Sequence, residues 1–566
     1  MSDRREFLKA MSGGVAAGFP LASSSFAWGQ PGKAGSVNQI SLVLPPRSGA
    51  VVENIARVFT RQVSQRCDAT VASAGHSPLR VSLVIQAGLG AEGFEIVPEG
   101  KRGVRITGND ERGLLYGLGK VLRSSRYDRG GFTPGNWRGT SAPQAPFRGI
   151  DAATHFMNFY EAAPLPEVQR YIEDLGLWGA NVVMVGFPFW HFRGFDDPAG
   201  RRTLEQMRGI LKAGKAIGLQ VGLQQCPTAG FSTAPKEIRV TAVPDDLGRR
   251  GHFGDNCCPS NPAGHKYLLG LYAWLFDNFK DIGVDYLELW PYDEGGCGCA
   301  QCWPWGARGF PKLARDVVQA GRARFPALKS ILSTWCYDTP PAGEWEGLAK
   351  FLQTEGGWLD YIMADSHTDF PRYPLERGVP GGLPLLNFPE ISMWGRAPWG
   401  GFGANPLPAR FERLWKQTEN KLAGGLPYSE GIYADINQVI CLQFYWQKSR
   451  SAADIVREYL AFEYSPDMVE PLWEAVGLLE RTWITRGPDC ARAFASLQQV
   501  DAKLTPQAKA AWRWRILYLR GLIDAELYRR NGKMEGSELK KAFDELTTIY
   551  HGEHVHSMPV RPPQLS

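Results

Sequence analysis

The sequence lacks any second apolar stretch, beyond a modest one near its start, that approaches the roughly 18 residues needed to span a membrane. It has no long basic run, and 63 lysines and arginines against 58 acids leave a net charge of only +5 over 566 residues. No glycine-rich phosphate loop follows an early strand. These absences argue against a membrane span, against nucleic-acid binding and against a nucleotide-binding open sheet.

What the chain has in quantity is apolar and aromatic material. Hydrophobic residues make up 44% and charged residues 21%, which is typical of a soluble globular protein with a large core. The length predicts roughly two to four domains. Most of the 19 tryptophans are expected in the core, but several can line a cleft, where a flat face with one polar N–H suits a sugar ring.

The first residues resemble a bacterial twin-arginine export signal. Arg4 and Arg5 precede a short apolar region at 13–22, and Ser25-Phe26-Ala27 offers small residues where signal peptidase cleaves. The resemblance predicts a periplasmic or secreted protein. Twin-arginine export carries folded proteins, so a metal could be loaded before export.

Residues 36–145 are predicted to form a small α/β domain. Strand candidates at 93–97 and 103–107 are followed by a helix from about Asp110 to Ser124, with Asn109-Asp110 as its cap. The segment TGNDERGLLYGLGKVL within this unit resembles the accessory domain of bacterial β-N-acetylhexosaminidases of glycoside hydrolase family 20. The α-glucuronidases carry a related domain, and no catalytic residue is implied here.

Beyond a proline-containing connector, strand-like and helical runs alternate. Eight strand candidates are found at 147–152, 181–187, 220–225, 284–290, 330–335, 361–364, 383–388 and 428–433. This pattern predicts a (β/α)₈ barrel, with a doubly wound open sheet as the alternative. The predicted organisation is a signal peptide at 1–30, the accessory domain at 36–145, a catalytic barrel at 146–450 and a helical C-terminal region at 451–566.

Residues that follow barrel strands share one catalytic face. Acids and aromatic residues are dense at these positions, and buried carboxylates need partners. From the strand ends and the tryptophans we predict substrate contacts at Asp151, His155, His191, Trp290, Tyr292, Trp335, Asp365, Trp394, Glu430 and Trp446.

The fourth strand candidate ends in an adjacent acid pair, Asp293-Glu294. Glycoside hydrolysis needs one carboxylic acid to protonate the leaving oxygen and a second group to meet the developing positive charge. The pair resembles the Asp-Glu pair of family 20 hexosaminidases. That resemblance implies that Glu294 is the general acid/base, that Asp293 polarises the N-acetyl group of the substrate, and that Arg148 binds substrate. The expected partner is a glycan or oligosaccharide.

The sequence departs from the family 20 pattern at two places, and these departures leave other functions open. The usual His-Gly-Gly before the acid pair is replaced by Trp290-Pro291-Tyr292, and YSEGIYADIN at 428–437 is similar to relatives of the α-glucuronidases. In that case the enzyme would be inverting, with Glu430 or Asp365 as the base. A third alternative, from another class, is a carbohydrate-binding barrel without catalysis.

The ten cysteines include a C-x-C-x-x-C loop formed by Cys297, Cys299 and Cys302. Cys258 or Cys226 could complete a tetrahedral zinc site. Disulfides are the alternative, given export to an oxidising compartment. A four-thiolate site would be structural and would hold the loop that carries Glu294, so catalysis itself is expected to need no cofactor.

Overall fold

The computed structural model describes residues 35–552 apart from 74–76, 129, 155–157, 243–254, 293–294, 340, 390–403, 419, 484–485 and 534. The predicted export signal therefore lies outside the described residues. In the part of the chain that is described, no helix is long and apolar enough to cross a membrane.

A six-stranded sheet forms the first unit, in the order β2-β1-β3-β5-β4-β8, with β4 antiparallel to both of its neighbours. Its strands and a small β6–β7 hairpin are β1 Gln39–Val43, β2 Thr70–Ala72, β3 Leu79–Ile85, β4 Phe94–Glu99, β5 Gly103–Gly108, β6 Arg126–Asp128, β7 Gly131–Thr133 and β8 Gly139–Ser141. Helices α1 (Ala50–Arg66) and α2 (Glu111–Ser124) accompany it. As predicted, Asp110 caps α2, since its carboxylate accepts a hydrogen bond from the main-chain N–H of Gly113 at 2.9 Å.

The central unit is a closed barrel of eight parallel strands. The strands are β9 Phe147–Ala152, β10 Val182–Gly186, β11 Gln220–Gln225, β12 Tyr286–Leu289, β13 Lys329–Ser333, β14 Tyr361–Asp365, β15 Leu385–Phe388 and β16 Leu422–Gly425. Closure is made by β9, which pairs with both β10 and β16. The predicted fold class, a (β/α)₈ barrel with an N-terminal α/β sheet and a helical C-terminal region, is confirmed.

The eighth strand differs from its prediction. It is β16, which lies between β15 and β9, and the predicted segment 428–433 contributes only the short β17 (Tyr428–Ser429) and a 3₁₀ turn. A Cβ on Gly424 would lie 1.7 Å from the carbonyl oxygen of Phe147, so glycine is required where these two strands meet. Glycine is disfavoured in strands, so the sequence of β16 does not indicate a strand. The next segment with β-forming residues, 428–433, was predicted in its place.

Helices surround the barrel between its strands. Their bounds are α3 Phe159–Ala162, α4 Leu165–Leu177, α5 Pro198–Ala216, α6 Pro262–Asn278, α7 Gly309–Arg322, α8 Glu344–Thr354, α9 Arg372–Glu376, α10 Pro408–Thr418 and α11 Asp435–Trp446. Helix α7 shows why they form. Its buried residues include Phe310, Leu313, Ala314, Val317, Val318 and Gly321, which recur at helical spacing and give one apolar face.

The C-terminal helices pack on the barrel through a buried ionic cluster. They are α12 Ala452–Glu463, α13 Val469–Arg481, α14 Asp489–Asp501, α15 Pro506–Ala510, α16 Trp512–Arg529 and α17 Ser537–Ile549. Arg513 of α16 donates to Asp435 on α11 at 2.7 Å and to Asp174 on α4 at 3.0 Å. The guanidinium thus links helices that are distant in sequence, because it pairs with two buried carboxylates.

Candidate active site

The barrel interior is apolar towards the amino ends of the strands and acidic at their carboxyl ends. Side chains alternate between the two faces of a strand. The inward apolar cluster consists of Phe147, Val182, Met184, Tyr286, Ile331, Met363, Leu386 and Leu426. Nearer the carboxyl ends, positions of the same parity carry Asp151, Glu288 and Asp365. The alternation therefore brings three carboxylates to the end of the barrel where barrel enzymes hold their substrates.

Asp151, at the end of β9, is 1% exposed. Its Oδ1 accepts a hydrogen bond of 2.6 Å from the side-chain amide of Gln224 on β11. Burial raises the pKa of Asp151 well above its ordinary value, and the negative charge of Glu430 raises this pKa further, while the Gln224 hydrogen bond opposes both. Asp151 and Glu430 are thus two buried acids that interact electrostatically.

Glu430 follows β17 and is 3% exposed. Tyr428 donates its hydroxyl to Glu430 Oε1 at 2.8 Å, and Tyr433 donates to Oε2 at 3.4 Å. Tyr428 lies opposite Asp151 in the strand register, which places Glu430 beside the end of β9. Both oxygens of this carboxylate are oriented by phenols, as befits a group that must be held in one position.

Glu288 was missed as a site residue in the sequence. It stands inside β12, is 2% exposed, and points inward, like Tyr286 two residues before it. The run YLELW reads as a buried strand, and a single acid in such a run is the signal that could have found it. Gln224, the partner of Asp151, was missed as well, and it lies inside the strand predicted at 220–225.

Asp365 and His367 form a second polar group at the end of β14. The His367 Nδ1 atom lies 2.6 Å from Asp365 Oδ1, and the His367 main-chain N–H donates to the same oxygen at 3.0 Å. The ring of Trp335 lies 4.3 Å from the His367 ring, centroid to centroid. Burial, and after it the charge of Asp365, raises the pKa of Asp338. The predicted residues Asp365 and Trp335 therefore lie together at the carboxyl ends.

Trp190 and Trp290 share a small apolar cluster with Cys226 and Ala229, after strands β10, β11 and β12. Trp290 is half-buried. His191 is exposed, and its ring lies 5.5 Å from that of Trp190. These side chains follow the carboxyl ends of β10 and β12, and their contact with a substrate stays a prediction.

Arg148 and Trp446 require correction. Arg148 lies at the amino end of β9 and is fully buried, where it pairs with Glu92, in the turn just before β4 of the accessory sheet, and donates to the carbonyl of Gly179 at 2.6 Å. The Cζ atom of the same guanidinium lies 5.3 Å from the centre of the Trp446 ring, and the indole N–H of Trp446 donates to Ser141 Oγ at 2.9 Å. Both side chains join the accessory sheet to the opposite end of the barrel, so they do not contact a substrate at the carboxyl ends.

Tyr292 requires correction too. It is fully buried, and its hydroxyl donates to Glu344 Oε1, which also accepts from the main-chain N–H of Gly306 at 2.8 Å. Trp305 donates its indole N–H to the carbonyl of Pro291 at 2.6 Å. Tyr292 therefore anchors the loop after β12 from within and is not a substrate contact. The predicted residues Asp293, Glu294, His155 and Trp394 lie outside the described residues.

Four cysteines come together beside this loop. The Sγ atoms of Cys258, Cys297, Cys299 and Cys302 all lie within 4.8 Å of one another. All ten cysteines are among the described residues, and none forms a disulfide. Hydrogen bonds from the thiols of Cys297 and Cys302 lower the pKa of Cys258. Of the two candidates for the fourth position, Cys258 joins the cluster and Cys226 packs against the tryptophans instead.

Comparison with known proteins gives a likeness of fold. No protein-family model matches the sequence, and no curated protein matches it. A family GH115 4-O-methyl-α-glucuronidase with specificity for decorated arabinogalactans has a TM-score of 0.60 at 12% identity, over 92% of this chain and 77% of that one. A family 89 glycoside hydrolase from Clostridium perfringens, in complex with an acetamido-dideoxynojirimycin, has a TM-score of 0.59 at 12% identity, over 88% and 64%.

A third solved structure is a GH138 enzyme targeting pectin rhamnogalacturonan II, with a TM-score of 0.53 at 10% identity, over 91% of this chain and 73% of that one. The chain thus spans about two thirds to three quarters of the length of these structures. At such identities they share the fold, and the expected relationship to glycoside hydrolases holds at that level.

Proposed function

We propose that the protein is a glycoside hydrolase that removes terminal sugars from glycans. The observation that carries the proposal is the acidic end of the barrel. Asp151, Glu288, Asp365 and Glu430 gather there beside aromatic rings. Carboxylates among aromatic rings are what a sugar-cleaving site needs, because a proton must be delivered and a positive ring stabilised. The solved structures of similar fold are named as enzymes of this class.

Within this class we assign the acid/base role to Glu294 and the polarising role to Asp293, on their position after β12 and their resemblance to the family 20 pair. The substrate would be a β-N-acetylhexosaminide, with its own acetamido group as nucleophile. Asp151, Glu288 and Glu430 would then hold the sugar hydroxyls. The resemblance of the first residues to a twin-arginine export signal supports a location in the periplasm or outside the cell.

The second candidate is an inverting hydrolase that resembles the α-glucuronidases. The observation that favours it is Glu430, whose two oxygens are held by Tyr428 and Tyr433 and whose charge raises the pKa of Asp151. A carboxylate held in this way suits a general base that activates water opposite the leaving group. In this case Glu430 replaces the acetamido group as the partner of Glu294.

The test is a panel of aryl glycosides, including β-N-acetylhexosaminides and α-glucuronides, with wild type, Glu294→Gln and Glu430→Gln. Proton NMR of the first-formed sugar gives the stereochemistry. Retention on an N-acetylhexosaminide, with Glu430→Gln reducing activity only modestly, supports the first assignment. Inversion, with both variants inactive, supports the second. Binding of sugars without turnover of any glycoside would contradict both and indicate a carbohydrate-binding barrel.

A further inference from the structure

The cysteine cluster joins two segments that are distant in the chain. Cys258 lies just before helix α6, and the other three cysteines lie in the loop between β12 and α7. The Sγ of Cys258 is 3.5 Å from that of Cys297 and 3.8 Å from that of Cys299. The remaining pairs are all within 4.8 Å, so each sulfur faces the same small volume.

The distances between the sulfur atoms distinguish disulfide bonds from a zinc site. Bonded sulfurs in a disulfide lie about 2.05 Å apart. Four thiolates on one zinc ion, at about 2.3 Å from the metal, form a tetrahedron whose edges are about 3.8 Å. The Cys258–Cys297 and Cys258–Cys299 separations, 3.5 and 3.8 Å, agree with the second value. We propose that Cys258, Cys297, Cys299 and Cys302 bind one zinc ion in a closed, tetrahedral four-thiolate site.

A serine hydroxyl lies against three of the four sulfurs. Ser260 Oγ lies 3.0 Å from the Cys258 sulfur, 3.2 Å from that of Cys299 and 3.5 Å from that of Cys302. An outer donor of this kind orients metal ligands and offsets their negative charge.

The ion would have a structural role. Four protein ligands leave no position for water or substrate, so the metal takes no part in hydrolysis. Its effect is to fix the loop after β12 to the start of α6. The ligand loop begins three residues after Glu294, so loss of the ion should disturb the acid pair. This last consequence rests on the proposed function, whereas zinc binding does not.

The experiment is elemental analysis of purified full-length protein, together with mass spectrometry of the unreduced chain. We expect one zinc ion per chain and no disulfide among the four cysteines. Cobalt, substituted for zinc, should give the visible absorption of a tetrahedral thiolate complex. The double variant Cys299→Ser/Cys302→Ser should lose the metal and the absorption.

Cys257→Ser is the matched control. Cys257 is buried and adjacent to Cys258, yet its sulfur stands outside the cluster, so its replacement should leave the zinc content unchanged. Ser260→Ala keeps all four ligands and should weaken zinc binding by about 10–100-fold, as loss of an outer donor does. Wild-type protein with the four cysteines paired in disulfides, or with iron in place of zinc, would overturn the proposal whether or not any glycoside is hydrolysed.

Discussion

The side-chain amide of Gln224 donates to the Asp151 carboxylate at 2.6 Å although a strand lies between them. The contact is possible because the intervening strand, β10, carries Gly186 opposite Gln224 and so presents no side chain there. The result is a buried acid with one fixed partner and a charged neighbour, Glu430. Such an arrangement stabilises the folded protein less than an apolar pair would, which is a common property of functional sites.

The Asp151→Asn variant should be more stable than wild type at neutral pH and less active. The folded-state pKa of Asp151 is raised, so the folded protein holds this proton more tightly than the unfolded chain. The free energy of unfolding therefore falls as pH rises from about 4, the unfolded pKa, towards the folded pKa. Asparagine keeps the Gln224 contact without the charge. Thermal unfolding at about pH 4 and about pH 7 should show its advantage growing with pH, and a disadvantage at pH 7 would contradict this account.

Tyr428→Phe should lower activity more than stability. The change removes the 2.8 Å hydrogen bond that orients Glu430, and loss of one such bond costs about 1–3 kcal/mol. If Glu430 is the base of the inverting candidate, we expect kcat to fall by about tenfold or more, and under the hexosaminidase assignment only modestly. Tyr116→Phe is the control, since that buried hydroxyl donates to the carbonyl of Ala180 at 2.8 Å near the other end of the barrel. Equal loss of kcat in both variants would show that Glu430 has no special role.

Gly295→Ala should disturb the loop directly after Glu294. A Cβ at this position would lie 2.3 Å from the Cys226 sulfur and 3.0 Å from the carbonyl oxygen of Pro291. Overpacking of this kind costs about 1–3 kcal/mol, and we expect kcat to fall with it. Adding Cys226→Ala should restore part of both losses. Gly270→Ala, in open space on helix α6, should instead be neutral or stabilising by up to about 1 kcal/mol.

Arg148→Met should destabilise the protein without changing the KM of the folded enzyme. Removing one member of a buried ion pair costs up to about 3–5 kcal/mol, and the cost is smaller here because Arg112 still pairs with Glu92 at 2.8 Å. The double variant Arg148→Met/Glu92→Gln should recover part of the loss. Chemical denaturation and steady-state kinetics on the same preparations measure both effects. A large rise in KM with normal stability would contradict this role and indicate that Arg148 contacts the substrate.

Much of the barrel could be predicted because its strands are short apolar runs between amphipathic helices. The strand 147–152 and the strand 220–225 were predicted with the bounds that the structure has. The alternation of apolar and polar residues in strands, and the glycines and prolines in the turns between them, depend only on neighbouring residues. They can therefore be recognised from the sequence. The eighth strand was missed where Gly424 and Gly425 allow close approach of backbones, because such contacts depend on a partner that is distant in sequence.

The errors at the site have several causes. Arg148 stands three residues before Asp151 in β9, which is about 10 Å along the strand and on its opposite face, so its side chain meets Glu92 and not the carboxyl-end face. Trp446 was expected in a sugar pocket because it is aromatic, but it is used for packing. Glu288 was overlooked because its neighbours made it look like part of a core strand.

The most direct test of the central claim is the rate of glycoside cleavage by Glu294→Gln with two substrates of the same sugar, one with a nitrophenyl and one with an alkyl leaving group. A poor leaving group needs the acid and a good one does not, so we expect kcat/KM to fall by about 10²–10⁴-fold for the alkyl glycoside and much less for the nitrophenyl glycoside. Equal rates for variant and wild type on both substrates would contradict the assignment of Glu294 and of this end of the barrel as the catalytic site.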